Sequence, residues 1–405
     1  MTIACPDCGT LQQLPALRRG DIAMCPRCDA RLERVNLRSI SAALACASAT
    51  LVLLFPANLL TLFTLRVFGI SIHTQLASGV FALAAQGWVL LALLVAASAT
   101  VLPFVRYGLL VLALGSVQLG YRPRWQGSVF RWSILLDRWT MPEVFLIACA
   151  VGYARIAAQA SIIHVGAGGY CFVGVALMAM LSRALLDRRT VWRTLAPERP
   201  APTDTPVLSC TVCDLVLPVS EEGKPCPRCG SMLRARLPGV RARTLALIIA
   251  ALVLYLPANV FPMSVTHFPG RVQSYRIVDG VMALFGAGLW PLGVLVSCTS
   301  IGIPVVKLAG LGWCLLSVHR RSGRHLRFKT HLYRMIDEAG RWSAVDPFII
   351  AVIVPLMHLR NFVTAGAGIG ATAFMAVVAL TMAASRGFDP RLMWDAAAER
   401  GYERG

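Results

Sequence analysis

The sequence predicts an all-α polytopic membrane protein, in which two tandem four-helix transmembrane modules each follow a small cysteine-rich ribbon. Three observations lead to this prediction: long uncharged apolar segments, a duplication of the whole pattern, and two sets of four cysteines. The 405 residues are 57% hydrophobic, with a mean hydropathy of +0.65. Segments 39–65 and 244–270 contain no Asp, Glu, Lys or Arg. Each therefore exceeds the roughly 20 residues that a helix needs to cross a bilayer.

Landmark residues recur at a constant offset, which indicates a duplication. Pro56 and Pro257 lie 201 positions apart. The same offset relates three further pairs: Cys28 and Cys229, Gly79 and Gly280, and Pro103 and Pro304. Further along, an offset of 203 relates four pairs: Trp139 and Trp342, Glu143 and Asp346, Phe145 and Phe348, and Arg183 and Arg386. The chain is therefore two parallel copies of one unit.

Each copy has room for four spans. In the first copy we predict an opening span within 39–64, a second ending near Leu119, and two spans within 144–182. The last two are joined at "HVGAGGY" (164–170), where glycine permits a tight turn. Residues 67–84 are expected to form a loop or a surface helix. The second copy repeats this pattern at 244–262, 280–319 and 347–385, with "TAGAGIG" (364–370) as its turn.

These boundaries define the predicted domains. A proline-rich linker, "APERPAPTDTP" (196–206), precedes the second ribbon and is expected to be extended. The domains are ribbon 1 at 1–37, membrane module 1 at 38–190, the linker and ribbon 2 at 191–239, membrane module 2 at 240–395, and a tail at 396–405.

The formal net charge of +19 has two possible explanations. A basic chain can bind nucleic acid, but positive residues also gather in the cytoplasmic loops of membrane proteins. The basic groups are Arg122, Arg124, Arg131 and Arg138, then the region 183–243, and then Arg320, Arg321, Arg324, Arg327, Lys329, Arg334 and Arg341. Segments predicted on the opposite side are nearly bare of charge. We therefore predict no nucleic-acid partner, and we place both ribbons and both termini in the cytoplasm.

Two cysteine sets have the spacing of metal sites. Each set contains two C-x₂-C pairs, separated by 16 or 12 residues, and four thiolates bind Zn²⁺ tetrahedrally. Disulfides or a redox pair are the alternatives, and a cytoplasmic location disfavours disulfides. We predict two structural zinc ions, with the ligands Cys5, Cys8, Cys25 and Cys28 in ribbon 1 and Cys210, Cys213, Cys226 and Cys229 in ribbon 2. The other five cysteines are expected to be buried apolar residues.

Two basic residues lie deep inside predicted spans. Arg106 and Lys307 are related by the repeat, and each follows a proline by three positions, in "PFVR" and "PVVK". A charge inside the bilayer costs at least about 2.5–3.5 kcal/mol on insertion scales, so it normally faces a partner or a wet cavity. For these two residues we predict a polar cavity.

Four further charged residues flank the third span of each copy. Glu143 and Asp346 open this span, and Arg155 and Arg360 lie near its far end. The two arginines could face the same interior or could extend to the lipid headgroups, because long basic side chains reach the interface from span ends.

The motif "PAN" occurs in the first span of both copies. Pro56 and Pro257 lack a backbone N–H and should kink the helix, which frees a carbonyl four residues earlier. In lipid that carbonyl needs a partner, and Asn58 or Asn259 lies two positions away. The motif predicts a broken helix facing the span of Arg106 or Lys307. The alternative is a packing kink in which the intervening alanine permits close approach.

Together these motifs resemble the paraquat-inducible protein A family. They are the Cys₄ ribbon, "FPAN" or "LPAN", the P-x-x-[RK] span, "RW" followed by [ED]-x-F, and "SR…D" at Ser182–Asp187 and Ser385–Asp389. The resemblance extends from Cys5 to Trp394. It departs from the family pattern where Arg replaces the more usual Lys at positions 106 and 155, and where Glu143 stands opposite Asp346.

The resemblance implies a role in lipid trafficking across a bacterial envelope, with this chain in the inner membrane. It implies a periplasmic partner built from MCE domains and phospholipid as the cargo, with the chain loading or receiving lipid at the base of a tunnel. Two other functions stay open: a membrane anchor for the tunnel, and a zinc-dependent redox or stress sensor. Walker A, G-x-S-x-G and HExxH motifs do not occur, so we do not expect ATP-driven transport by this chain alone. We expect no enzymatic activity.

Overall fold

A computed structural model confirms the predicted fold class of two repeated, mostly helical halves with a Cys₄ ribbon in each. Arg360, one of the predicted intramembrane residues, lies outside the part of the chain that the structure describes. The described residues are 2–14, 18, 21–34, 40–67, 70–121, 123–157, 162–196, 206–268, 271–356 and 364–402.

The first half begins with ribbon 1 and continues into module 1. Ribbon 1 consists of two antiparallel hairpins, β1 (Thr2–Ala4) with β2 (Leu11–Gln13) and β3 (Ile22–Met24) with β4 (Arg31–Arg34). Module 1 contains α1 (Ile40–Leu59), β5 (Phe63–Val67), β6 (Ile70–Thr74), α2 (Leu76–Ala85), α3 (Val89–Val95), α4 (Leu102–Gln118), α5 (Gln126–Asp137), α6 (Pro142–Ala157), β7 (Ile162–Val165), α7 (Ala167–Leu185) and α8 (Arg188–Leu195).

The second half repeats this order. Ribbon 2 contains β8 (Val207–Ser209) and β9 (Val216–Pro218). Module 2 contains α9 (Val240–Val260), β10 (Ser264–Phe268), β11 (Arg271–Tyr275), α10 (Ile277–Gly286), α11 (Trp290–Ser297), α12 (Ile303–His319), α13 (Leu326–Ala339), α14 (Val345–Leu356), β12 (Thr364–Ala367), α15 (Ile369–Gly387) and α16 (Arg391–Tyr402). A 3₁₀ turn at Gly340–Ala344 joins α13 to α14.

A three-stranded antiparallel sheet closes one end of each module. In module 1, β5 lies between β6 and β7, and Phe63 pairs with both Thr74 and Val165. Where we expected a loop or a surface helix at 67–84, the described residues form mainly strand β6 and helix α2. We call this end of the module the sheet end, and the opposite end the ribbon end.

The glycine-rich segment before α7 contains a strand where we predicted a tight turn. A Cβ at Gly166 would lie 2.2 Å from the carbonyl oxygen of Thr61, and one at Gly168 would lie 2.5 Å from that of Leu60. The Gly168 N–H donates to the Thr61 carbonyl at 2.9 Å. Glycine is needed here because the backbone of α7 starts directly against the chain that leaves α1, and no side chain fits between them.

The second span of each module contains one turn of π-helix. It occupies Ala96–Val101 in module 1 and Cys298–Gly302 in module 2. Pro103 or Pro304 follows directly, at the start of α4 or α12. Because proline removes one helical hydrogen bond and clashes with the preceding turn, the helix widens locally instead of stopping.

Six helices among the described residues are long and apolar enough to cross a membrane, which makes this a multi-pass membrane protein. They are Ile40–Leu59, Val89–Gln118, Ala167–Leu185, Val240–Val260, Trp290–His319 and Ile369–Gly387. The helix at the third predicted span of each module, α6 or α14, is shorter, with 16 or 12 residues. Helix α6 still runs from the ribbon end to the sheet end. Glu143 at the start of α6 contacts Arg183 at the far end of α7, whereas β7 after α6 belongs to the sheet.

The two ribbons cross over between the halves. In ribbon 1, Asp7 pairs with Arg334 of α13, and Trp394 of α16 belongs to the apolar core of that ribbon. In ribbon 2, Asp214 pairs with Arg189 of α8, and the buried residues of ribbon 2 join the core of module 1. Each ribbon therefore packs mainly on the membrane module of the other half.

Candidate functional site

Both cysteine sets form compact clusters that could each hold a metal ion. The four sulfur atoms of each set lie within 4.8 Å of one another, and all eight cysteines are buried. The closest sulfurs are 3.5–3.6 Å apart, between Cys5 and Cys28, Cys8 and Cys25, Cys210 and Cys229, and Cys213 and Cys226. A disulfide joins sulfurs at about 2.05 Å, so these are free thiols arranged around a common centre.

All four C-x₂-C pairs share one backbone geometry. The residue after the second cysteine has a positive φ: 71° at Gly9, 55° at Asp29, 57° at Asp214 and 70° at Gly230. Its N–H donates to the carbonyl of the first cysteine at 2.8–3.0 Å. Sequence reasoning missed this signal, although Gly and Asp are residue types that tolerate the left-handed region. Each of the four turns thus directs two sulfur atoms toward the centre of its own cluster.

The remaining cysteines lie in the spans, as expected, but are not all buried. Cys149 and Cys314 are buried, Cys46 and Cys171 are partly buried, and Cys298 is exposed at the helix surface. None of them belongs to a metal cluster among the described residues.

Arg106 belongs to a buried network of ion pairs in module 1. The residue is 2% exposed, and its Nη2 atom is 2.6 Å from Oδ1 of Asp137, the last residue of α5. Its Nη1 atom donates to the hydroxyl oxygens of Tyr107 at 2.7 Å and Thr140 at 3.3 Å. The cation predicted to face a polar cavity therefore has a carboxylate directly beside it.

Asp137 also binds two other arginines. Arg183 Nε is 2.8 Å away and Arg188 Nη2 is 2.9 Å away. Arg183 also donates to Glu143 and, at 2.7 Å, to the Thr140 carbonyl. Burial raises the pKa of Asp137, but three surrounding guanidinium groups outweigh this effect and lower the pKa to about 2. Asp137 lies outside the six long spans and stays ionised there. Sequence reasoning did not assign Asp137 or Arg183 to the site, although Arg183 belongs to the recurring "SR" motif.

Lys307 has a different environment in module 2. It is fully buried, and its Nζ atom donates to Oγ1 of Thr381 in α15 at 2.9 Å. The repeat offset of 203 aligns Asp137 with Gly340. A Cβ at Gly340 would lie 3.5 Å from Lys307 Nζ. Among the described residues no carboxylate lies within ion-pair distance of Lys307, because glycine replaces the acidic residue of module 1.

Three other predicted intramembrane residues, Glu143, Asp346 and Arg155, lie at the ends of the third span. Glu143 is in the first turn of α6 and forms part of the Asp137 network. Asp346 is in the first turn of α14 and is buried. Arg155 lies in the last turn of α6, and its side chain falls outside the described part of the structure.

The "PAN" motif lies at the sheet end of the first span and not at its centre. Pro56 and Pro257 are in the last turns of α1 and α9. Asn58 Nδ2 donates to the Leu54 carbonyl, and Asn259 Nδ2 donates to the Tyr255 carbonyl, both at 2.8 Å. The asparagines thus bond within their own helices. Within the described part of the chain, no hydrogen bond joins either of them to the cation of the neighbouring span.

The intervening alanines show what the motif does for packing. Ala57 and Ala258 are completely buried, and their helices, α1 and α9, pack closely against α7 and α15. This agrees with the alternative interpretation, in which a small residue permits close helix approach.

An apolar cavity of about 230 Å³ lies at the sheet end of module 1, between α6 and α7. We call it the sheet-end cavity. Its floor contains the buried residues Phe63, Cys149 and Phe172, and its rim contains the exposed residues Ala150 and Val173. Hydrocarbon therefore fits this cavity better than a polar ligand.

Comparison with known proteins identifies the family. The family model described as paraquat-inducible protein A matches residues 40–196 and 242–398. The chain belongs to the paraquat-inducible protein A family. The two matched segments coincide with the two membrane modules, so both modules match the same family model. No solved structure matches the chain.

Curated relatives of this paraquat-inducible protein A family member cover almost its full length. It is 28% identical over 410 residues to the intermembrane transport protein PqiA of Escherichia coli K12, covering 99% of this chain and 97% of that protein. It is 29% identical to the lipophilic envelope-spanning tunnel protein A of the same strain, covering 97% and 91%. A probable intermembrane transport protein of Haemophilus influenzae is 26% identical, covering 97% and 95%.

Proposed function

We propose that this chain is the inner-membrane component of an intermembrane lipid transport system. In this proposal it exchanges phospholipid with the base of a tunnel formed by a periplasmic MCE-domain protein. The sheet-end cavity is the observation on which the proposal rests, and the names of the full-length relatives agree with it. We assign no enzymatic step to the chain.

The sheet-end cavity favours direct lipid handling over a purely anchoring role. Its lining is apolar, and it opens between Ala150 and Val173 on the surface of two membrane helices. Ligand sites are concave and mostly apolar, and a cavity on a lipid-facing surface admits hydrocarbon more readily than water. We therefore propose that one acyl chain of a phospholipid enters here, close to the sheet through which lipid would leave.

Zinc is the metal that best fits the two ribbons. Four thiolates at about 2.3 Å from a tetrahedral ion lie about 3.8 Å apart, close to the 3.5–3.6 Å sulfur separations. When bound, zinc would crosslink two turns of each ribbon and supply no open coordination position for chemistry. The buried cysteines would therefore hold it structurally, and we propose cytoplasmic ribbons without a sensor role.

The two sheets are the proposed docking surfaces for the MCE-domain partner. With the ribbons in the cytoplasm, both sheets face the periplasm. Strands β6 and β11 carry residues exposed at this end, among them Ser71, His73, Val272 and Ser274. A sheet edge presents unpaired backbone groups, which makes it suited to contact with another chain.

Photo-crosslinking in cells tests this function. A crosslinking residue at Ser71, His73, Val272 or Ser274 should capture a periplasmic MCE-domain protein, whereas one at Leu135, exposed on α5 at the ribbon end, should not.

A second arm of this experiment addresses the lipid. After purification in mild detergent, irradiation of a crosslinker at Ala150 should capture phospholipid more strongly than one at Val52, which is exposed on α1 outside the cavity. Capture of the partner without lipid would support the anchoring function, and capture of neither would reject the proposal.

A further inference from the structure

Ribbon 1 is attached to module 2 through a set of polar and aromatic contacts. Arg327 of α13 donates to the carbonyl of Arg27 at 3.0 Å, and the Arg27 guanidinium lies 4.8 Å from the centre of the Trp394 ring. Trp394 is buried against the cysteines of ribbon 1. An ion pair, Glu33 with Arg193 at 2.7 Å, joins this ribbon to α8 of module 1. The dominant contacts therefore reach the half that is distant in sequence.

Arg334 extends this contact to the metal cluster itself. Its Nε atom is 2.7 Å from Oδ2 of Asp7, and its Nη2 atom donates to the Cys28 carbonyl at 3.1 Å. The same Nη2 atom lies 3.5 Å from Cys28 Sγ. A guanidinium beside a thiolate ligand stabilises its negative charge and fixes its orientation, as outer partners of metal ligands generally do.

Ribbon 2 has no such cation among its described cluster contacts. The hydroxyl of Ser231, within the ribbon, lies 3.1 Å from Cys210 Sγ and 3.0 Å from Cys229 Sγ. Its ion pair with module 1 joins Arg189 to Asp214, with 3.2 Å between Nη2 and Oδ2, and does not include a cysteine sulfur. The two ribbons thus differ in how closely the membrane module contacts the metal ligands.

We propose that Arg334 is a positioning residue for the ribbon 1 metal, and that metal in ribbon 1 holds α13 of module 2 in place. This inference depends on the metal ions proposed above. It adds that the ion in ribbon 1 stabilises module 2, the membrane module of the other half. Occupancy of ribbon 1 controls the module of the other half, and occupancy of ribbon 2 does not substitute for it.

The position of α13 also affects the surroundings of Lys307, the buried lysine of module 2. Arg334 is six residues before Gly340, which is about 9 Å along a helix. Gly340 begins the turn that follows α13, and a Cβ there would lie 3.5 Å from Lys307 Nζ. A shift of α13 that follows metal loss would therefore change the surroundings of Lys307.

The test compares Arg334→Gln with Arg189→Gln in the full-length protein. The wild type should contain about two zinc ions per chain by elemental analysis. In Arg334→Gln, chelator titration should show an affinity about 10- to 100-fold lower for one of the two ions, the range typical for loss of an outer partner of a metal ligand. Hydrogen exchange should rise in α13 and the following turn. Arg189→Gln should leave both metal affinities unchanged, because Arg189 contacts no sulfur.

The possible results distinguish failure of the proposed metal sites from failure of the proposed role of Arg334. A wild-type protein without bound metal would reject the proposed metal sites. Two tightly bound ions together with unchanged metal affinity and unchanged α13 exchange in Arg334→Gln would overturn only the proposed role of Arg334. Faster exchange confined to module 1 in that variant would also overturn it, because it would show that each ribbon acts on the module that follows it in sequence.

Discussion

Replacing Lys307 by alanine is expected to abolish the envelope-barrier function of the protein while expression and zinc content stay normal. Lys307 is fully buried and has a threonine hydroxyl, but no carboxylate, as its described partner. An uncompensated cation inside a membrane helix is costly and is normally kept for function. We propose that it attracts the phosphate of a lipid headgroup. Detergent sensitivity of cells that depend on this chain measures the loss.

Two further variants distinguish the roles open to this charge. Lys307→Arg should retain partial function if the charge binds an anion, because module 1 uses Arg106 at the same repeat position. It should fail if Lys307 transfers a proton, since arginine stays protonated. Gly340→Asp would place beside Lys307 the acidic residue that module 1 has at this position, and it should abolish function. Gly340→Asn adds a similar volume without charge and should retain function. Full function in Lys307→Ala would reduce the residue to a packing role.

The second large effect is expected on stability, from Asp137→Asn. This change leaves Arg106, which is 2% exposed, without its carboxylate and also removes a partner of Arg183. Removing one member of a buried ion pair typically costs about 3–5 kcal/mol, because the remaining charge stays desolvated. The free energy of unfolding in detergent should fall by about this amount, and module 1 should open first in limited proteolysis.

Asp395→Asn is the matched control for this measurement. The Asp395 side chain is 40% exposed and pairs with Arg236, whose side chain is 37% exposed, at 2.7 Å. Exposed pairs contribute about 0–1 kcal/mol, so this variant should be nearly neutral. If both variants lowered stability equally, the buried network of module 1 would have no special structural role.

The sequence was sufficient to predict the repeating parts of this fold. The duplication, the Cys₄ sets and six of the eight predicted spans follow from spacing and hydropathy, which are local properties of the chain. The glycine-rich segments were harder. Their glycines suggested turns, but at Gly166 the requirement is a close approach to Thr61, a residue more than 100 positions away. Such contacts depend on the tertiary fold and leave no local pattern.

The candidate site was predicted in part for the same reason. Arg106 and Lys307 were identified because a charge is conspicuous in an apolar span. Asp137 was not, because it lies beside Arg138 at the end of a short helix outside the predicted spans, where a carboxylate is ordinary. The contrast between Asp137 and Gly340 became visible only when the structure placed each beside its cation. The crossing of the ribbons likewise depends on packing between distant segments.

Transfer of phospholipid in a reconstituted system shows whether this chain passes lipid to the MCE-domain partner. Vesicles would contain this chain and a labelled phospholipid, with the soluble MCE-domain partner added outside. With the wild type, we expect label to appear in the partner over time. Lys307→Ala and Ala150→Trp, which blocks the rim of the sheet-end cavity, should reduce transfer to the level of vesicles that lack this chain. A partner that binds the wild-type vesicles but receives no more lipid than from vesicles without this chain would exclude lipid transfer and leave the chain as an anchor.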